Sequence, residues 1–329
     1  MSEPPPDRDA GAENEAALER RQAESLARVE QGGIPLDAER RLRELAGASS
    51  DGGGGRSFTS DLSVADFALC DQLELRPLSQ VMGSSIYQVG YQSTPWPSML
   101  GGGFMFELDT LSNAWNDVRG RALGRLRQEA ECVGADAVIG VELRTGQHDW
   151  AENAIEYVVL GTAVRDQRRR PGREPYGQRA RRGRERHPAA AGPVLTELSV
   201  ADYAKLARAN IETLGIVAWS SVFFVAAFYS QQMLGGTGFM ENQELREFTQ
   251  GVYSAREIAM GRMTAQAAEL GASGVIGTRI EHGIGPVSLG GGRYQRGGLM
   301  VTFHAIGTAI RETPKTSAYA PKPIVDLTT

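Results

Sequence analysis

The feature that most constrains how this chain can fold is an internal duplication. The segment LSVADFA at residues 62–68 recurs as LSVADYA at residues 198–204, 136 positions later. Four further blocks recur in the same order, with spacings between 135 and 146 that reflect changes in loop length. Chance does not keep five blocks in one order, and internal repeats decide an architecture before local patterns do. We therefore predict two copies of one domain of about 110 residues, a usual domain size.

The duplication divides the chain into five segments. They are an acidic, partly helical N-terminal tail (1–58), repeat 1 (59–166), an Arg-rich linker (167–193), repeat 2 (194–312) and a C-terminal coil (313–329). The tail is predicted to be solvated, with a docking helix for a partner protein or a neighbouring subunit as the alternative. The linker lacks apolar periodicity and is predicted to be disordered. Its alternative role is to bind a polyanion through the arginines at Arg168, Arg169, Arg170, Arg181 and Arg182.

Each repeat is predicted to be α+β, with one long helix packed on an antiparallel sheet. Apolar residues step by three and four along both helices, from Trp115 to Val133 and from Val252 to Leu270. A glycine follows each helix, as suits a left-handed helix end. A short helix is expected to begin near Ser63 and Ser199. Strands are predicted at 75–91, 137–141 and 155–160 and at their counterparts in repeat 2, with hairpin loops at 145–153 and 282–298.

Composition excludes several classes of protein. The net charge of −5 implies no attraction of the whole chain to nucleic acid. Two cysteines without CxxC spacing exclude a disulfide scaffold and a Cys-rich zinc site.

The N-terminus has no apolar core of the secretory type, so a cytoplasmic location is expected. Residues 214–229 form an apolar run that is too short to span a membrane as a helix. A buried or subunit-facing strand is predicted there, with membrane contact as the alternative.

The duplicated blocks resemble the bacterial YbjQ family, also described as a heavy-metal-binding domain. An Ala/Arg-rich helix runs into VGADAVIG at 133–140 and LGASGVIG at 270–277, and a closing strand follows with GTAV at 161–164 and GTAI at 307–310. The resemblance covers both repeats. It implies small α+β domains that assemble into ring-shaped homopentamers, and it carries no established catalytic residues. Five chains of two repeats would form two stacked five-membered rings of like repeats, or one tenfold ring of alternating repeats.

Candidate site residues are few. The metal-ligating side chains are Cys70, Cys132, His148, His187, His282 and His304, of which His282 and His304 are the best candidates. None has a metal-site spacing, so no cofactor is predicted and a metal ion remains the alternative. Arg119 and Arg256 recur on the long helices, as a solvated face or as a subunit contact or anion-binding ring. The Gly-rich runs lack a phosphate-loop context, and the Ser-Ser pairs at 84–85 and 220–221 lack a GxSxG motif.

The sequence therefore predicts a non-enzymatic, homo-oligomeric scaffold or binding protein, most simply a pentamer, made of tandem YbjQ-like domains. Two alternatives remain open at this stage. One is a heavy-metal-binding or metal-responsive protein, and the other is an enzyme that binds a small ligand at subunit interfaces.

Overall fold

A computed structural model describes residues 8–50, 59–89, 105–147, 154–167, 192–226, 244–289 and 296–312. The arginines of the linker that were proposed to bind a polyanion, His148, His187 and the C-terminal coil lie outside these residues. The predictions made for them stay predictions.

The two repeats share a short helix, a long strand, a long helix and two more long strands in the same order, and they differ in the place of one short strand. The predicted α+β class is therefore confirmed. The N-terminal tail contributes two helices, α1 (Arg8–Glu30) and α2 (Leu36–Ser50). Repeat 1 contains α3 (Val64–Gln72), β1 (Leu75–Gln88), β2 (Met105–Glu107), α4 (Asp109–Cys132), β3 (Ala137–Gln147) and β4 (Ala154–Asp166). Repeat 2 contains β5 (Val194–Leu195), α5 (Val200–Arg208), β6 (Ile211–Ala226), α6 (Arg246–Glu269), β7 (Gly274–Leu289) and β8 (Arg296–Glu312).

The predicted helix boundaries have the expected chemistry. Ser63 and Ser199 are the N-caps of α3 and α5, and the hydroxyl of each accepts a hydrogen bond from the backbone N–H three residues on, as a capping serine should. Gly134 and Gly271 follow the long helices with φ of +69° and +70°. That conformation strains a side chain with a Cβ but not glycine.

Each repeat builds a four-stranded sheet that includes a strand from the other repeat. The strand orders are β1-β4-β3-β5 and β2-β6-β8-β7. β2 of repeat 1 pairs with β6 of repeat 2, and β5 of repeat 2 pairs in parallel with β3 of repeat 1. The prediction of an antiparallel sheet in each repeat therefore holds for the three long strands. The exchanged short strands are additions that no periodicity indicated.

The core lies where each long helix crosses its sheet. All six apolar positions predicted for the first helix are buried, namely Trp115, Val118, Ala122, Leu126, Ala130 and Val133. In repeat 2, Ala255, Ala259, Met263 and Ala267 are buried in the same register. Small side chains on this stripe let the helix approach the sheet closely.

The structure corrects one prediction about the strands and confirms another. The loop predicted at 282–298 is wrong in extent, because β7 continues to Leu289 and β8 begins at Arg296. The glycines in this stretch favoured the prediction of a loop. Antiparallel backbone pairing nevertheless continues through Gly283 and Gly285. The apolar run predicted to be a buried strand belongs to β6 as far as Ala226, and most of its side chains are buried. Residues 227–229 lie outside the described residues. No helix among the described residues is long and apolar enough to cross a membrane.

The two tail helices form a hairpin that docks on α4 of the same chain. Ile34 and Leu42 are buried in the core of repeat 1. Arg125 of α4 donates hydrogen bonds to the carbonyl oxygens of Gly33 (3.0 Å) and Val29 (2.8 Å) in the hairpin, and another to Ser84 of β1. One guanidinium therefore joins the hairpin, the long helix and the sheet.

Replacing Arg125 with alanine should loosen the N-terminal hairpin. Hydrogen bonds from a charged donor contribute roughly 1.5–3 kcal/mol each. Hydrogen exchange of residues 8–50 should accelerate while the exchange of β3 and β4 stays slow. Arg127→Ala, at an exposed position on the same helix, is the control. Unchanged exchange in the Arg125 variant would show that the other contacts, such as the burial of Ile34 and Leu42 and the hydrogen bond of Gln128, suffice to hold the hairpin.

Candidate interface between the two repeats

Beyond its pairing with β2, the edge of β6 opposite β8 is satisfied by polar side chains of α4 in repeat 1. The Val222 N–H donates to Ser112 Oγ (2.9 Å), and the Ser220 N–H donates to Asn116 Oδ1 (2.9 Å). Asn116 Nδ2 donates in return to the Ser220 carbonyl at 2.9 Å. The helix thus satisfies backbone groups that a further strand would otherwise bond, as buried backbone groups require.

Arg119 is at the centre of this interface. Its side chain is buried and donates to Ser220 Oγ (2.8 Å) and to the Ala218 carbonyl (2.6 Å). Ser220 Oγ lies 2.7 Å from Nδ1 of His304, and Tyr157 Oη lies 3.4 Å from the same nitrogen. Because Arg119 can only donate, the hydroxyl of Ser220 accepts from Arg119 and is free to donate to His304. The cluster joins residues of both repeats.

Burial and the Arg119 guanidinium together lower the pKa of His304 to about 4. The imidazole is therefore neutral at neutral pH, as an acceptor at Nδ1 requires. A serine beside a neutral histidine is also the beginning of a nucleophilic site. Here, however, Ser220 has no solvent exposure and its hydroxyl is engaged by Arg119. The contact thus serves packing between the repeats.

The stability of the chain should fall as the pH is lowered from about 6.5 to about 4. The unfolded chain binds a proton at His304 within this window, whereas the folded chain does not, so protonation favours unfolding. At about 1.4 kcal/mol for each unit of pKa difference, the loss is roughly 3 kcal/mol. Denaturant unfolding at several pH values measures it. His304→Gln should flatten this slope, and His282→Gln, at an exposed histidine, should leave it unchanged. Equal slopes in both variants would contradict the assignment.

A second contact runs along the outer edge of β3. The segment that precedes α5 pairs with this edge, as the Thr196 N–H donates to Val138 O (3.0 Å) and the Val141 N–H donates to Thr196 O (3.0 Å). The Gly140 N–H then donates to Leu198 O at 3.0 Å. Strand β5 and its continuation therefore close the sheet of repeat 1.

Apolar packing accompanies this second contact. Val200, the first residue of α5, lies in one buried cluster with Cys70, Ile139 and Val164 of repeat 1. Beside it, Asp61, Glu142, Arg144, Glu197 and Arg279 line a cleft of about 330 Å³ between the repeats. Arg279 donates to Glu197 at 3.0 Å, and burial raises the pKa of the Glu197 carboxyl.

The structure separates the residues that the sequence grouped as candidates. Arg119 is buried between the repeats, whereas Arg256 is exposed and lies 3.5 Å from Glu257. His304 is in the buried cluster, and His282 is exposed on β7 rather than in a loop. Burial raises the pKa of the Cys70 thiol to about 11, which disfavours the thiolate that metals bind. Within the described ranges, no three His, Cys, Asp or Glu side chains form a metal-binding group.

Sequence reasoning missed Ser112, Asn116 and Thr196. These small polar residues carry the hydrogen bonds between the repeats, yet their residue types are common on exposed helix faces and in loops. One available signal was that Ser112 and Asn116 lie one turn apart, on the same helix face as Arg119.

Fold and interface together define a tandem-repeat α+β protein whose two domains bind each other through different sides. The chain belongs to the YbjQ family, described as "Putative heavy-metal-binding", whose profile matches residues 97–167 and 200–312. Both repeats are matched, as the duplication predicted.

Two curated relatives are similar to the chain. One is the encapsulin nanocompartment protein Rv1762c of Mycobacterium tuberculosis, 34% identical over 260 residues, which are 78% of this chain and 87% of that protein. The other is a UPF0145 protein of Clostridium novyi, 36% identical over 94 residues, which are 28% of this chain and 86% of that protein. The second relative thus has about the length of one repeat. No solved structure matches the chain significantly.

Proposed function

We propose that this chain is a non-enzymatic scaffold protein that assembles from identical copies, with five chains as the assembly implied by its family resemblance. The observation that carries the proposal is the position of its exposed apolar side chains. Val64, Met82 and Ile86 are exposed in repeat 1, and Leu245, Tyr253, Ile280 and Ile284 are exposed in repeat 2. Exposed apolar side chains, where they lie together, are typical of surfaces that bind other proteins.

The similarity to a protein named as an encapsulin nanocompartment protein supports a structural, assembly-forming role. A scaffold also accounts for the buried Ser220–His304 contact, which stabilises the pairing of the repeats and is closed to substrate. The proposal includes no cofactor. Stoichiometric metal in the purified protein, lost on replacement of His282 or His304, would contradict it. A cytoplasmic location stays a prediction.

The mass of the purified chain in solution tests the proposal. Multi-angle light scattering at micromolar concentration should give a multiple of the 35.5 kDa chain, with five copies expected. A monodisperse monomer would overturn the scaffold function, and an oligomer of another size would overturn only the number of chains.

A further inference from the structure

The internal interface joins two unlike sides of the repeated domain. Repeat 1 contributes its helix side, defined here as the long helix and the outer edge of the strand that follows it. Repeat 2 contributes its edge side. We define this side as the outer edge of the first long strand, the short N-terminal helix and the segment that precedes this helix. Because the two repeats have the same fold, each also carries the side that the internal interface does not use. Repeat 1 retains an edge side, and repeat 2 retains a helix side.

Positions that the internal interface buries are exposed at the unused sides. Val200 and Val222 on the edge side of repeat 2 are fully buried, whereas their equivalents Val64 and Ile86 in repeat 1 are 88% and 52% exposed. On the helix side, Leu108 of repeat 1 is 4% exposed, and its equivalent Leu245 is 49% exposed.

The strands that follow the two long helices, β3 and β7, show the same contrast in exposure. Val138, Ile139 and Val141 of β3 are buried, and the backbone of this stretch pairs with the segment that precedes α5. Their equivalents on β7, Val275, Ile276 and Thr278, retain exposure. The start of β7 is therefore at a sheet edge where a further strand can pair, and none pairs there among the described residues.

Part of the chemistry of the internal interface also recurs at the unused sides, although Tyr253 stands where repeat 1 has Asn116. Repeat 2 has Thr249 and Arg256 on α6 where repeat 1 has Ser112 and Arg119, so a hydroxyl and a guanidinium are kept. Repeat 1 has Ser84 on β1 where repeat 2 has Ser220, so the serine that Arg119 binds is kept as well. Arg256 is exposed and carries only a long ion pair to its neighbour Glu257 in the described part of the chain.

From this equivalence, and resting on the proposed function, we infer that chains join head to tail. The helix side of repeat 2 binds the edge side of repeat 1 in a second copy of this chain. Arg256 and Thr249 then bind the edge of β1 opposite β4, where Glu129 and Arg125 of α4 already bond the Met82 N–H and the Ser84 carbonyl. The segment at 59–62 adds a strand to β7. The contact repeats the internal one, with Leu245 beside Ile86 as Leu108 is beside Val222.

This contact fixes the order of the repeats. An interface between unlike sides closes into a ring or extends as a filament, and it never pairs like with like. Repeat 1 therefore contacts only repeat 2 around the assembly. Of the two arrangements that the sequence allowed, the inference selects the ring of alternating repeats over two stacked rings of like repeats.

Two substitutions that introduce a negative charge test the inference in the full-length chain. Ile86→Glu blocks the edge side and Leu245→Glu blocks the helix side, and both positions are about half exposed, so the fold should survive. Each variant alone should be monomeric by light scattering. An equimolar mixture should give a discrete dimer of chains, because one intact side of each kind remains. Leu18→Glu, at an exposed apolar position on α1, should keep the wild-type mass.

The outcomes separate this inference from the proposed function. A monomeric wild-type chain overturns the scaffold function and the contact together. A wild-type oligomer that either variant leaves intact overturns only the head-to-tail contact. A mixture that stays monomeric also overturns the contact, because two variants with different blocked sides must complement each other.

A disulfide trap gives a readout that does not depend on variants with an added charge. The Leu108 N–H donates to Val222 O at 2.7 Å, so the backbones at these two positions are adjacent. A chain with both Leu245→Cys and Ile86→Cys should form disulfide-linked multimers on oxidation, since neighbouring backbones bring the thiols within bonding range. A chain with only one of these substitutions should form none. Equal cross-linking by single and double variants would overturn the contact.

Discussion

Replacing Gly83 with alanine should destabilise repeat 1 by at least about 3 kcal/mol, the upper part of the range for overpacked cores. A Cβ at this position of β1 would lie 1.9 Å from the carbonyl oxygen of Ala122 and 2.7 Å from the backbone nitrogen of Leu126. Both atoms belong to the backbone of α4, so no side-chain rotation relieves the overlap. The helix must move away from the sheet and lose its packing there.

Chemical denaturation of the full-length chain measures this loss. Gly120→Ala is the matched control, because it lies on α4 with nothing within 4 Å of the added Cβ. Alanine in a helix interior is favoured over glycine, so the control should gain roughly 0.5–1 kcal/mol. Equal stability of the two variants would show that β1 and α4 are not in close contact.

Truncating the core residue of each long helix should cost about 2–5 kcal/mol per site, through lost burial and the cavity left behind. Leu126 and Met263 occupy equivalent positions and are almost fully buried. We expect Leu126→Ala and Met263→Ala to lower the free energy of unfolding by similar amounts, because each side chain fills the same space between helix and sheet.

Unfolding monitored by circular dichroism compares the two variants directly. Tyr253→Ala, at a residue of α6 that is 57% exposed, should have little effect on the stability of the single chain. Near-neutral effects at Leu126 and Met263 would mean that the helices are rotated from the register described above.

The sequence was sufficient to predict the repeats and the helix stripe, because both depend on local patterns. The apolar residues from Trp115 to Val133 recur with the period of a helix. Ser63 and Asp66 form the cap of another helix, α3. These patterns result from the burial and the capping of a single helix. They can therefore be recognised without knowing which other elements pack against it.

The exchange of strands and the polar interface could not be predicted in the same way. β2 and β5 are only three and two residues long, too short to show an alternation. Arg119 and Arg256 have the same local sequence role, yet one is buried and the other exposed. The difference arises from which repeat lies beside each arginine, and a tertiary contact of this kind leaves no periodic trace.

The exchange of β2 and β5 has a consequence for how the chain folds and divides. Each sheet includes one short strand from the other repeat, so neither repeat contains all the strands of its own sheet. We therefore expect the two repeats to unfold in one cooperative transition, although the duplication suggests two independent domains. If the linker at 167–193 is cut after folding, we expect the two fragments to remain bound, because neither contains all the strands of its sheet.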